Sequence, residues 1–314
     1  MDSGTGASEL SRRVTELFGP HLSVEETLVA HRSRLVWRAR LDGDLVALKA
    51  FTEPHRAAAE AMAMRAAADG GVGVPPVLGE WRVDGCAVLT LGWVEGSPLG
   101  SQTQGWVRAG EQLARLHRLP VPPGLPTVSG WEGDWDSDLV RQVPQECARA
   151  VNLGLLSHSQ VDHVTSTLGP ALVALEPAGI AFLHGDMQPE HVILTTAGGV
   201  SFIDWGDAGS GDPLWDLAVL VNDNNLDRLE DVLAGYQPEP QLLAHLRANL
   251  DHFRALRYLQ EATWLAERSF DPSQSLEGLF GLLGWGPARV AGPGRIVGLR
   301  PQAAPGSRGQ PGRS

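Results

Sequence analysis

The sequence predicts an α+β protein of two lobes, a small β-rich N-terminal lobe and a larger, mainly helical C-terminal lobe. Three observations carry this. Short runs of period-two alternation crowd the first hundred residues, helical spacing takes over after them, and a few strand-like runs are embedded among the later helices. A chain of 314 residues is long enough for two lobes around a cleft.

Each element follows from its residues. "LSVEETLVAHRSRLVWRARLDGDLVALKAF" contains three strand-like runs, with Asp42-Gly43 as the hairpin between the second and third. "EPHRAAAEAMAMRAAADG" is Ala-rich and stops at Gly70-Gly71, so it reads as a helix. "VPPVLGEWRVDGCAVLTLGWVEG" returns to strands and completes the first lobe. From there "TQGWVRAGEQLARLHRLP" places Trp106, Ala109, Leu113, Leu116 and Leu119 near helical spacing, with Pro120 closing the run. Helices are predicted around residues 138–153, 159–175, 226–235 and 239–268, and "GIAFLHGD", "HVILTT" and "GVSFIDWGD" as a strand, a turn and a hairpin among them. The domains read as 1–96, with roughly the first 15 residues flexible, then 97–285, then a Gly/Pro/Arg-rich tail, 286–314, expected to be disordered.

Composition removes several function classes. Hydrophobic residues make up 43% and charged residues 20%, the mix of a globular core. The net charge is −12, and the last thirty residues hold five arginines and no acid, which leaves −17 on the rest. Such a body repels nucleic acid and anionic membrane and favours a cationic small molecule. Two cysteines, Cys86 and Cys147, without CxxC spacing argue against a disulfide framework or a structural zinc site. No apolar run is long enough to span a membrane and no signal-like core opens the chain, so the expected compartment is the cytoplasm.

What remains is a set of residues suited to phosphoryl transfer. That reaction needs a lysine on the phosphates, a carboxylate to hold the lysine, oxygen ligands for magnesium, and a base to orient the attacking hydroxyl. Lys49 lies in the strand "LVALKAF", and Glu60 follows eleven residues later on the single helix of that lobe. Asp186 sits in the turn after "GIAFL", His191 five residues on, and Asp204 in the turn after "VSFI". A hairpin between them would bring all three to one edge. Taken alone, Lys49 and Glu60 are also what an ordinary strand lysine and an exposed helix acid look like.

The run "HGDMQPEHVIL…VSFIDWGDAGSGDPLWDLA" resembles the aminoglycoside phosphotransferase and choline kinase group, small-molecule kinases with the two-lobed protein-kinase-like fold. The similarity spans about residues 15 to 285. It implies that Asp186 is the catalytic base, that Asp204 is the main magnesium ligand, and that Lys49 pairs with Glu60 beneath the phosphates of ATP or GTP. It makes "LTLGWVEG" the hinge, with Leu91 as gatekeeper and Gly92 and Val94 presenting backbone to adenine. His184 becomes a framework residue, and Asp216 the group that ties down the catalytic turn through its amides.

Two departures stand out. His191 replaces the usual asparagine as second metal contact, which would favour Mn2+ beside Mg2+. The phosphate-covering loop "AHRSRLVWRAR" lacks glycine and leaves Ser33 or backbone amides to meet the phosphates. Two other functions stay open: a nucleotide-binding pseudo-kinase, and metal-dependent hydrolysis by His184, Asp186, His191 and Asp204. Asp207 reads as a loop residue, and "GWEGDWD" at 130–136 as cleft lining or aromatic core. Asp134, Asp136, Asp223 and Asp227 are candidate contacts for an amine-bearing substrate, while the oligomeric state is not legible.

Overall fold

The computed structural model describes residues 3–30, 33–126, 139–173 and 179–285. A helix, α1 (Ser3–Phe18), precedes strands β1 (Leu22–Ala30), β2 (Arg34–Leu41) and β3 (Asp44–Phe51). Helix α2 (Pro54–Asp69) follows, then β4 (Val77–Val83) and β5 (Cys86–Gly92). The strands form one antiparallel sheet in the order β1-β2-β3-β5-β4. Its tight turns, Asp42-Gly43 and Asp84-Gly85, place both central residues at positive φ, the geometry that suits hairpin twist.

Alternation along β3 sorts the lobe into two layers. Val46, Leu48 and Ala50 join α1 in one buried cluster. The intervening residues face the opposite way, where Phe51, Leu89 and Leu91 pack with Ala57, Ala61 and Met64 of α2. Lys49 therefore emerges on the α2 face, paired in register with Leu89 of β5.

The expectation of a flexible N-terminus is corrected by α1. Leu10, Val14 and Phe18 recur at helical spacing in "SELSRRVTELF" and are buried against the sheet. Each buried aliphatic of that size contributes roughly 1.5–3 kcal/mol, enough to dock a segment that its polar residues make look loose.

Trp93, Val94 and Glu95 link the lobes, and β6 (Gly96–Pro98) already pairs with a strand of the second lobe. There α3 (Thr103–His117), α4 (Leu139–Asn152) and α5 (His158–Val173) lead into β7 (Ala181–Leu183), β8 (Val192–Thr195), β9 (Val200–Phe202) and β10 (Gly209–Gly211). Then come α6 (Leu214–Leu220), α7 (Leu229–Tyr236), α8 (Pro240–Glu267) and α9 (Ser273–Leu282). Both β10 and α9 are additions to the sequence reading. In α9, Leu276, Leu279 and Phe280 are the buried face of a short, Gly-containing stretch. The tail from 286 and the "GWEGDWD" segment lie outside the described residues.

Two packing details position the site. Helices α3 and α7 cross in backbone contact, because a β-carbon at Gly110 would strike the Val232 carbonyl and one at Gly235 the Val107 carbonyl. The β8–β9 hairpin pairs Val192 with Phe202, and the Ile203 amide donates to the His191 carbonyl at 2.9 Å. Residues just before β8 and just after β9 are thereby neighbours.

Candidate active site

Lys49 bridges the cleft between the lobes. Lys49 Nζ donates to Glu60 Oε1 at 2.5 Å and to Asp204 Oδ1 at 2.7 Å, joining β3 to α2 and to the far lobe. Burial works against the charge on Lys49, but Asp204 and Glu60 outweigh it and its pKa is raised. For Asp204 burial again opposes the charge, yet Lys49, Arg34 and His191 hold the carboxyl well below the usual carboxylate range. Asp204 also sits at φ +62°, a left-handed conformation that a non-glycine residue adopts at a cost of about 1–3 kcal/mol. The hairpin exit imposes that turn and aims the carboxylate into the cleft.

On the other strand of the hairpin, the turn after β7 carries Asp186. Its neighbour Gly185 has φ +87°, and a β-carbon there would collide with the Asp207 backbone, so glycine is needed for conformation and for space. Asp216 in α6 receives the His184 amide at 2.8 Å and the Gly185 amide at 2.9 Å, one on each oxygen. Trp215 Nε1 donates to the Gly185 carbonyl at 2.8 Å. Three hydrogen bonds on two consecutive residues leave this turn little freedom.

Behind Asp216 lies a relay the sequence reading missed. His117 Nε2 donates to Asp216 Oδ2 at 3.1 Å, so its Nδ1 accepts from the Tyr236 hydroxyl at 2.7 Å. Burial, then the Asp216 charge, raises the Tyr236 pKa and keeps the phenol neutral. His117 ends the predicted helix "LARLH", and nothing in that pattern announces its partner.

The two histidines of "HGDMQPEH" have different surroundings. His184 is fully buried, its Nε2 donates to the Ile203 carbonyl at 2.9 Å, and its ring lies edge-on to Trp205. Burial lowers its pKa, so the ring is neutral. His191 ends the 3-10 turn Pro189–His191 and donates from Nδ1 to the Asp186 carbonyl at 2.8 Å. In the neutral ring Nε2 then carries the lone pair, and it faces Asp204 Oδ2 at 3.7 Å, beyond hydrogen-bond reach.

These donors fit a divalent cation. Asp204 is held ionised, and the Nε2 lone pair of His191 shares its space. Beside Gly206, Glu60 Oε2, Arg34 Nη1 and Asp204 Oδ1 bound a further gap, and Glu60 Oε2 accepts no hydrogen bond among the described residues. No three His, Cys, Asp or Glu side chains among the described residues stand where one ion could take them all, so the four-residue hydrolase centre is not assembled.

Several further residues belong to the cluster. Arg34 at the head of β2 lies 3.5 Å from Asp204, and the charges of Asp204, Glu60, Asp207 and Asp186 overcome its burial and raise its pKa. Asp207 is pushed up to about 7, first by burial and then by the charges of Asp186 and Asp204. Asp186 Oδ1 receives Gln188 Nε2 at 3.0 Å and Arg257 Nη2 at 2.9 Å, the latter from α8.

The remaining expected residues are dispersed. Leu91 is buried on the Lys49 face, Gly92 donates its amide to the Pro76 carbonyl, and Val94 is half-buried in the interlobe link. Asp227 is exposed beside Arg228, while Asp134, Asp136 and the Asp223 side chain fall outside the described residues. No described helix is long and apolar enough to cross a membrane.

A cleft in which a lysine and its glutamate from one lobe meet the aspartates of the other is the arrangement of a phosphotransferase with an alcohol acceptor, and that is the class of this protein. The sequence profile of the APH phosphotransferase enzyme family matches residues 28–259, and the chain belongs to that family. No curated protein matches the chain in sequence. Among solved structures, a thermostable mutant of the aminoglycoside phosphotransferase APH(4)-Ia in complex with ADP and hygromycin B aligns at TM-score 0.65 and 14% identity, over 89% of this chain and 99% of that one. The GDP complex of aminoglycoside 2'-phosphotransferase-IIIa aligns at 0.61 and 18%, over 89% and 99%. A choline/ethanolamine kinase family protein from Mesorhizobium loti aligns at 0.60 and 22%, over 88% and 92%. All share the two-lobed kinase-like fold.

Proposed function

We propose that the protein transfers the γ-phosphoryl group of ATP or GTP to a hydroxyl of a small molecule, with Mg2+ or Mn2+ held by Asp204 and His191. The observation that carries this reading is Lys49, which touches Glu60 and Asp204 at once while His191 spans from Asp186 to Asp204. An ion held by Asp204 and His191 would supply positive charge to offset that of the phosphates.

The chain's own groups do the rest. Lys49 meets the phosphates with its orientation fixed by Glu60, and Arg34 supplies a second cation where a glycine loop is missing. Asp186 orients the acceptor hydroxyl and takes its proton through the carboxylate oxygen left over by Gln188 and Arg257. Asp216, His184 and the His117–Tyr236 relay hold that turn still. Leu91, Gly92 and Val94 would frame the base of the nucleotide. The ADP and GDP complexes of structural neighbours support a nucleotide in this cleft.

The net charge of −12 led to an amine-bearing acceptor, such as an aminoglycoside-like molecule or an amino alcohol, and argues against nucleic acid or membrane as partner. The cytoplasm is the compartment that holds the nucleotide. Retention of Lys49, Glu60, Asp186 and Asp204 in one cluster weighs against a pseudo-kinase. The test is incubation with γ-labelled ATP or GTP, either metal, and a panel of hydroxylated small molecules. Label on an acceptor supports the reading; nucleotide that neither binds nor reacts with any metal present overturns it.

A further inference from the structure

The N-terminal sheet gathers its cleft cations toward one end. Gly92, the last residue of β5, pairs with Val46, Leu89 with Lys49, and Arg34 with Phe51. Lys49 is thus three residues from the interlobe end of β3, and Arg34 stands two positions further out. Alternation gives Arg34 the same face of the sheet as Lys49. Helix α2 starts just beyond that outer end, at Pro54. Arg56 in its first turn shares a helical face with Glu60, Ala63, Met64 and Ala67, all of them buried. It is half-buried and about 6 Å along the helix from Glu60. No ion pair or hydrogen bond among the described residues engages its side chain.

Across the cleft the facing group is Asp207. Burial and then the charges of Asp186 and Asp204 raise its pKa, and the charges that oppose them are those of Arg34 and Arg56. Both guanidiniums therefore act on one carboxyl. Asp207 in turn backs onto the turn that carries Asp186, because its carbonyl lies where a β-carbon on Gly185 would be. The order along the cleft is the interlobe link, Lys49, the two arginines, and the Asp186 turn.

We infer that Arg56, together with Arg34, binds the terminal phosphate of the nucleotide, the group that is transferred. The inference rests on the kinase reading and adds a specificity contact to it. A base framed at Gly92 with its phosphates under Lys49 has its last phosphate at the arginine end, between Lys49 and Asp186. Guanidiniums match phosphate oxygens with paired, charge-assisted hydrogen bonds. Two of them supply donors where the loop "AHRSR" has no glycine to bring its amides close. In the reaction the acceptor oxygen bonds to the terminal phosphorus, its proton goes to Asp186, and the bond to the bridging oxygen breaks with its electron pair leaving on the nucleoside diphosphate. Arg56 keeps its charge throughout. A nucleoside diphosphate ends short of it, so Arg56 reads the difference between triphosphate and diphosphate.

The experiment titrates the full chain, with Mg2+ or Mn2+ present, against a nucleoside diphosphate and the matching triphosphate with an imido group in its β–γ bridge. Arg56→Gln should weaken the triphosphate analogue by roughly tenfold to hundredfold, the value of a charge-assisted contact, and the diphosphate by less than about twofold. Arg56→Lys, which keeps the charge, should recover part of the loss, and the diphosphate-induced melting shift shows that each variant is folded. Equal losses for the two nucleotides would make Arg56 a support of the site as a whole, and no loss would make it a solvated side chain. Either result overturns the inference while the kinase reading stands. If the unaltered protein binds neither nucleotide, both fall. The expected selectivity without transfer to any acceptor would keep the arginine site and remove the kinase.

Discussion

On the proposed reading, the nucleotide side and the acceptor side of Asp186 are built in different ways. On the nucleotide side, Asp204 and His191 are delivered by one short hairpin and Lys49 by one strand, and each is pinned by neighbours of opposite charge. On the acceptor side a single face of α8 presents two arginines and an acid, reaching Asp186 from 71 residues away. The first half is fixed by local geometry and tolerates little change. The second rests on one helix face, whose sequence can vary while the hairpin stays as it is.

The sharpest way to separate the halves is Asp186→Asn, which touches both. Transfer should fall by roughly 10² to 10⁴ while nucleotide binding persists; single-turnover rates beside nucleotide titrations would show it, and an undiminished rate would take Asp186 out of the mechanism. Arg34→Ala tests the nucleotide half alone. The KM for nucleotide should rise by about tenfold or more, the worth of a charged contact, with the KM for acceptor unchanged.

Smaller effects are expected at His191 and Asp207, the two neighbours of Asp204 in the proposed metal position. His191→Asn should keep the enzyme active, shift its preference from Mn2+ toward Mg2+, and remove an acid-side decline at limiting metal, because an imidazole must be neutral to ligate. Rates from about pH 5.5 to 8, around the usual imidazole pKa, check this, and identical metal preference and profile in both proteins would rule out ligation. Asp207 keeps its proton in the ligand-free fold up to about pH 7 but gives it up near 4 when unfolded. The native state thus binds the extra proton between those values, and this group's contribution to stability falls as pH rises through that window. Asp207→Asn should therefore raise the melting temperature at about pH 8 and leave it little changed near pH 4, a difference that calorimetry at the two ends would read.

Legibility in the sequence follows the same division. Asp186, His191 and Asp204 could be placed together because eighteen residues of strand, turn and strand admit one simple closure. Lys49 and Glu60 were readable because one Ala-rich helix directly follows the lysine strand. His117 lies 99 residues from Asp216 and Arg257 lies 71 from Asp186, and the polar face of α8 looks like any solvated stripe until the fold covers it. The net charge pointed to a cationic acceptor, but it sums the whole surface and names none of the groups that would touch one. For α1 the signal was present, in Leu10, Val14 and Phe18, and was outweighed by the polar residues around it.

The close crossing of α3 and α7 reaches further than packing. Gly110 and Gly235 set how near the two helices lie, and that spacing is what lets the Tyr236 hydroxyl meet the His117 ring, which in turn steadies Asp216. A methyl group at either glycine would spread the helices and loosen the catalytic turn without touching any ligand. Two residues with no side chain and no charge thus behave as remote tuning positions for Asp186, and inactivating changes found there would be misread as simple folding defects.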